Sequence, residues 1–178
     1  EKYKKPASQI NKLRLRLMHQ QALQRLSDAD LLGNASDDGD QFDSQYLLRL
    51  LGMELLLKVV FEKTLHEKAH GHRYDKLFKR LPEDLQDRLI RLAGERIGPS
   101  GLTDNAQSLF KEWGQNFVAL RYPWERYDGL SEDQYATLEE KWIAEGAPLK
   151  KATFRYHPEE LFGMLYALQT VADELRES

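Results

Sequence analysis

The stretch Leu47-Leu-Arg-Leu-Leu-Gly-Met-Glu-Leu-Leu-Leu-Lys-Val-Val-Phe-Glu62 decides the fold. Leu47, Leu48, Leu50, Leu51, Met53, Leu55, Leu56, Leu57, Val59, Val60 and Phe61 leave scarcely any side of a helix facing water. A helix that is apolar nearly all round belongs in the middle of a bundle or against a second subunit. The pattern predicts one helix over 44–69, ended by Gly71 and helped by His70 and His72 near the negative end of its dipole. A thin polar stripe runs along it: Glu54, Lys58, Glu62, His66 and His70 follow at intervals of four. Each step drifts about 40° round the axis, so the stripe spirals and its ends face different ways. Glu54 and Lys58 lie inside the apolar stretch, where an unpaired charge is costly. They can pair with each other at i,i+4 or reach a neighbouring helix. Two readings stay open, a paired and partly exposed seam or a functional groove.

Working outward, Leu15, Met18, Ala22 and Leu26 recur at helical spacing over 8–26, with Ile10, Leu13 and Leu17 widening the face. Residues 31–43 read as an acidic flexible loop, because Gly33-Asn-Ala-Ser-Asp-Asp-Gly-Asp40 has turn formers and almost nothing to bury. A short helix is expected at 74–80, and another begins at Pro82 with Leu85, Leu89, Leu92 and Ala93 inward. Phe110, Trp113, Phe117 and Leu120 form the stripe of a helix over 104–121, and Pro123 ends or kinks it. Ser131-Glu-Asp-Gln134 resembles a capping box opening a helix to Ala144. The last helix starts at Pro158 and faces inward with Leu161, Met164, Leu165, Leu168, Val171, Ala172 and Leu175. No stretch alternates like a strand, and none repeats. The expectation is an all-α antiparallel bundle of about five main helices, in one domain over 1–178.

Composition narrows the function classes. At 178 residues, 41% hydrophobic and 31% charged, the chain has the make-up of an ordinary globular protein. No stretch approaches the ~20 apolar residues of a membrane span. There is no signal-peptide pattern, and an opening Glu1 in place of Met fits a trimmed or partial chain. With no cysteine, disulfides, thiol catalysis and cysteine metal sites are excluded, which suits the cytoplasm. The net charge of −3 offers nucleic acid no overall attraction, but the charge is uneven. Lys2, Lys4, Lys5, Lys12, Arg14, Arg16 and Arg25 face only Glu1 within 1–26, while 27–43 hold six aspartates and no base. A basic first helix can meet phosphates, or it is simply a solvated face before an acidic loop.

His66-Glu-Lys-Ala-His70 matches H-E-x-x-H. On a helix that spacing sets two imidazoles on one face as zinc ligands, with Glu67 as general base. Its context points away from a zinc peptidase. Lys68 puts a charge in the motif, Gly71 stops the helix at once, and no strand is predicted upstream. An exposed, titratable helix end is the plainer expectation, with neither metal nor other cofactor.

Arg121-Tyr-Pro-Trp-Glu-Arg-Tyr127 gathers two arginines and three aromatics at a helix end. Guanidinium groups fork onto phosphates and aromatic rings stack on bases. The same residues could instead lock the helix end through Arg–Glu pairing and ring packing.

Glu54-Leu-Leu-Leu-Lys58, His72-Arg-Tyr-Asp-Lys-Leu-Phe78 and Leu120-Arg-Tyr-Pro123, in this order and spacing, resemble a HEPN domain. The resemblance spans most of 44–127. It implies a helical bundle that often dimerises, with a groove at the interface, and a link to RNA or nucleotides. Many members are metal-independent ribonucleases of toxin–antitoxin, abortive-infection or other antiviral systems, with an R-x-x-x-x-H site. Here Arg121 matches the arginine, but Arg126 stands at the histidine position. An arginine stays protonated and cannot serve as a general base. The resemblance therefore implies a module that binds RNA, a nucleotide or a protein partner such as an antitoxin. Lys58, His72, Arg121, Tyr122, Arg126 and Tyr127 would form the contact, with Glu54, Lys58 and Glu62 as the supporting stripe. The alternative is a ribonuclease with Arg121 catalytic and its base supplied by His72 or His157, or by the partner subunit. His66 and His70 would act only as ligands of the zinc alternative.

Overall fold

The computed structural model describes residues 12–35, 42–148, 152 and 154–177. They form α1 (Lys12–Ala35), α2 (Phe42–Leu65), α3 (Tyr74–Arg80), α4 (Glu83–Ile97), α5 (Leu102–Ala119), a 3-10 turn (Pro123–Tyr127), α6 (Glu132–Ala136), α7 (Leu138–Ala144) and α8 (Pro158–Glu177). The all-α expectation holds, and among the described residues there is no strand. The five long helices are joined by three short ones and the 3-10 turn, so the count exceeds five. Among the described residues no helix is long and apolar enough to cross a membrane.

α2 is the centre of the bundle and packs against α1, α3, α5 and α8. Leu50, Met53, Leu56 and Leu57 are fully buried, each removing a side chain from water at about 1.5–3 kcal/mol. The all-round apolarity of α2 is thus satisfied within the chain and does not itself call for a second subunit. Gly52 allows a close crossing of α1 and α2. A Cβ there would lie 2.7 Å from Cδ2 of Leu26 and 3.4 Å from the Ala22 carbonyl oxygen, so α1 can approach only a bare backbone. On the other side, α8 lies against α4 and α2 with Leu161, Met164, Leu168 and Val171 buried.

Four expectations are corrected. α1 does not stop at residue 26 but runs to Ala35, and α2 already begins at Phe42. Residues 31–35 and 42–43 are therefore helix, while 36–41 lie outside the described residues. The helix carries on because Ala29 is buried and accepts Gln45 Nε2 on its carbonyl at 3.0 Å, while Asp28 binds Gln24 and Arg25 one turn back. Leu13 and Leu17 do not widen the inner face; both are exposed, and Ile10 lies outside the described residues. The segment expected as one helix over 131–144 is divided at Thr137, although the Ser131–Gln134 capping box is formed.

The end of α2 is the fourth correction. The helix stops at Leu65, not at 69, because His66 turns into the left-handed region at φ 55°. Glu62 holds that turn. Its Oε1 accepts the Ala69 N–H at 2.9 Å, and its Oε2 pairs with Arg14 of α1. A side chain one turn inside the helix supplies the acceptor that folds the following chain back.

Tyrosine hydroxyls fasten the segment before α8. Tyr46 donates to the Tyr156 carbonyl at 2.9 Å and accepts from Asn116 Nδ2 at 3.2 Å; Tyr156 donates to Asp43 at 2.7 Å. Burial raises the pKa of Tyr46 and Tyr156 above the ordinary range, and the hydrogen bond to Asp43 raises Tyr156 further. A folded-state pKa raised above its unfolded value contributes stability that is complete below about pH 10 and lost as pH climbs through the folded value. An alkaline titration is expected to show Tyr46, Tyr74 and Tyr156, all raised by burial, ionising only as helical circular dichroism collapses. Full tyrosinate absorbance in a protein that keeps its helicity would contradict this.

Candidate functional site

The site begins with Glu54. Its position on the inner part of α2 leaves the side chain 5% exposed, so its charge has to be matched locally. One carboxylate oxygen takes Lys58 Nζ at 2.7 Å, the i,i+4 pair anticipated from the spacing. The other takes His72 Nδ1 at 2.8 Å. Lys58 is 13% exposed and His72 44%, so the three groups grade outward from core to surface.

His72 reaches Glu54 because the chain after α2 doubles back to α3 across α5. Gly114 permits that passage: a Cβ there would lie 2.8 Å from the His72 carbonyl oxygen. One turn further along α5, the Phe117 ring meets the His72 ring, tilted, at 5.3 Å. The Arg121 guanidinium lies over the same Phe117 ring, Cζ 5.0 Å from its centroid. Lys58, His72 and Arg121, from α2, the α2–α3 connection and the end of α5, therefore gather round one carboxylate and one ring. Tyr74 feels the field of both charges. Burial raises its pKa well above the ordinary value, Glu54 raises it further, and Arg121 opposes. Its hydroxyl donates to the Leu50 carbonyl at 3.2 Å.

With Nδ1 held by Glu54, the imidazole of His72 keeps Nε2 for other chemistry. A carboxylate on one ring nitrogen fixes the tautomer and orientation of the other. Beside this cluster, Tyr122 and Trp124 are 50% and 60% exposed and packed edge to face, centroids 5.5 Å apart. Donors suited to phosphate thus adjoin rings suited to bases.

The other candidates lie elsewhere. Arg126 stacks over Phe154 at 4.2 Å and Tyr127 packs against Tyr135 at 5.0 Å, so both belong to a separate aromatic region. His157 is held by Glu112, Nε2 to Oε2 at 2.8 Å, and Arg155 takes the other oxygen at 2.8 Å. Glu62 serves the turn after α2. His66 and His70 do not share a helix face, because α2 has ended before them, and Glu67 is paired with Arg80. The helical placement that a zinc-binding H-E-x-x-H needs is absent. Among the described residues no three acidic or histidine side chains are grouped to hold a metal.

Phe117 and Gly114 were not singled out from the sequence as part of the site. Phe117 had a legible signal, since it stands four residues before Arg121, the spacing that stacks neighbours on a helix. Gly114 had none. Searched against known proteins, the chain matches no family model, no curated protein and no solved structure.

Proposed function

We propose that the chain is a HEPN-like module that binds single-stranded RNA, with Lys58, His72 and Arg121 on a phosphate and Tyr122 and Trp124 against neighbouring bases. The observation that carries this reading is the double use of Glu54 and Phe117, which brings three cationic or donor groups from distant segments together. A single buried carboxylate neutralises only part of that charge, so an anion completes the site. Of the basic residues of α1, Arg14 and Arg25 are already paired with Glu62 and Asp28, while Lys12 and Arg16 stay exposed.

The test is fluorescence anisotropy with a labelled single-stranded RNA at two salt concentrations. Losing one charged hydrogen-bonding group costs about 1.5–3 kcal/mol, so Arg121→Ala is expected to weaken binding roughly 10- to 100-fold and to flatten the salt dependence. Wild-type protein that does not bind RNA at low salt ends this reading.

A second reading is favoured by one contact, Glu54 Oε2 to His72 Nδ1. Arg126 cannot act as a base, but an imidazole oriented in this way can. His72 Nε2 would take the proton of an RNA 2′-hydroxyl as its oxygen attacks the adjacent phosphorus. Arg121 and Lys58 would stabilise the charge that builds up, and the 5′-oxygen would leave with a proton from solvent. The products would be a 2′,3′-cyclic phosphate and a 5′-hydroxyl end. Cleavage that persists in EDTA and disappears in His72→Gln would establish this reading; RNA binding without cleavage leaves the first. A homodimer that brings two such clusters together is part of the same HEPN-like proposal, and sedimentation of the full chain tests it.

A further inference from the structure

We propose that α6, α7 and the pocket beneath them form a docking surface for a basic protein segment that inserts one aromatic side chain. This inference is independent of the RNA reading and concerns a different part of the molecule.

The pocket has a volume of about 700 Å³, and Tyr127, Tyr135, Trp142, Phe154 and Tyr156 supply five of its walls. That size and lining suit a bound side chain with adjoining backbone. Two of the polar handles are already engaged inside the protein: Trp142 Nε1 donates to the Pro148 carbonyl at 3.1 Å and the Tyr156 hydroxyl donates to Asp43.

The surface above it is unusual in two ways. No residue of α6 or α7 is buried; the pocket-lining Tyr135 and Leu138 are exposed, as are Ile143 of α7, at 59%, and Leu130 just before α6. Large apolar side chains grouped on a surface mark a contact site. The two helices are also acidic. Glu132, Asp133, Glu139 and Glu140 have no ion-pair partner among the described residues, and Lys141 is the one base within α6 and α7. Glu139, Glu145 and Lys141 line the pocket and Arg126 lies over its Phe154 wall, so the carboxylates outnumber the bases. Such a surface repels a phosphate backbone and attracts lysines and arginines. Aromatic anchors in a dry pocket, ringed by charges that steer approach, are the usual anatomy of a protein contact. Complementarity therefore selects an aromatic residue flanked by basic ones.

The probe is a five-residue peptide with a central tryptophan between two pairs of lysines. It is titrated into the full chain while backbone amide resonances are followed. Saturable shifts are expected at residues 127–148 and 154–156. Binding should weaken roughly tenfold when the central residue is alanine or when the lysines are glutamates. Trp142→Ala should weaken it similarly. Because that change could loosen α7, the exposed pair Glu139→Gln/Glu140→Gln is the second variant and should weaken the lysine peptide while leaving the glutamate peptide no worse. Equal binding of all three peptides, shifts confined to other regions, displacement of the peptide by single-stranded RNA, or the same resonances shifting with protein concentration alone would each overturn the proposal.

Discussion

Glu54→Ala is expected to destabilise the fold by about 3–5 kcal/mol, the cost of leaving one partner of a buried ion pair behind. Lys58 is only 13% exposed, and its ammonium would lose the 2.7 Å contact that matches it. His72 would lose its anchor at the same time, so the connection between α2 and α3 should loosen and RNA affinity should fall with stability. Two comparisons separate charge from packing. Glu54→Gln keeps the shape and an acceptor, and should cost less than alanine. The double change Glu54→Leu/Lys58→Met removes both charges and should recover much of the stability, because well-packed apolar pairs often replace buried ion pairs without loss. It should not recover RNA binding, since the cationic group is gone. Urea denaturation followed by circular dichroism measures all three. A loss well below that range in Glu54→Ala would show that the carboxylate does not hold Lys58 and His72 in place.

Phe117→Ala is expected to be comparably severe, about 3–5 kcal/mol, because the ring is 6% exposed and sits among core side chains. Its interest lies in the milder variant. Phe117→Leu keeps most of the apolar volume and should cost less than about 1.5 kcal/mol. The leucine has no ring face for the Arg121 guanidinium or for the His72 imidazole. A partly exposed cation–π contact contributes about 0.5–1 kcal/mol, so RNA affinity should drop roughly two- to fivefold at nearly native stability. Wild-type affinity in Phe117→Leu would show that the ring does not position Arg121.

These two variants probe the parts of the molecule that were unequally visible beforehand. The burial of α2 and the inner face of α5 were legible, because apolar spacing reports directly on which side chains can leave water together. The Glu54–Lys58 pair was legible for the same reason, as a local i,i+4 relation. The helix end at His66-Glu-Lys-Ala-His70 was the less legible part, because the expected helix over 44–69 stops at Leu65. The Glu62 carboxylate ends that helix through a contact to Ala69 and a pair with Arg14 from another helix. No periodicity within α2 carries that information. Arg121 and Arg126, five residues apart and alike in sequence, part company because each lies over a different ring, Phe117 or Phe154. The aromatic pocket escaped notice since its walls come from the 3-10 turn, α6, α7 and the segment before α8.

By itself the sequence determined an all-α bundle and the central place of α2, with two charges inside it that had to find partners. Those are properties of one element at a time, set by 3.6 residues per turn and by the cost of burying charge. Only the tertiary structure decided what those charges hold. The turn at His66 and the close passage at Gly114 carry His72 to Glu54 and set it over the Phe117 ring that also bears Arg121. Convergence of this kind depends on how far one element runs and how closely another may approach, and backbone contacts between distant residues set both.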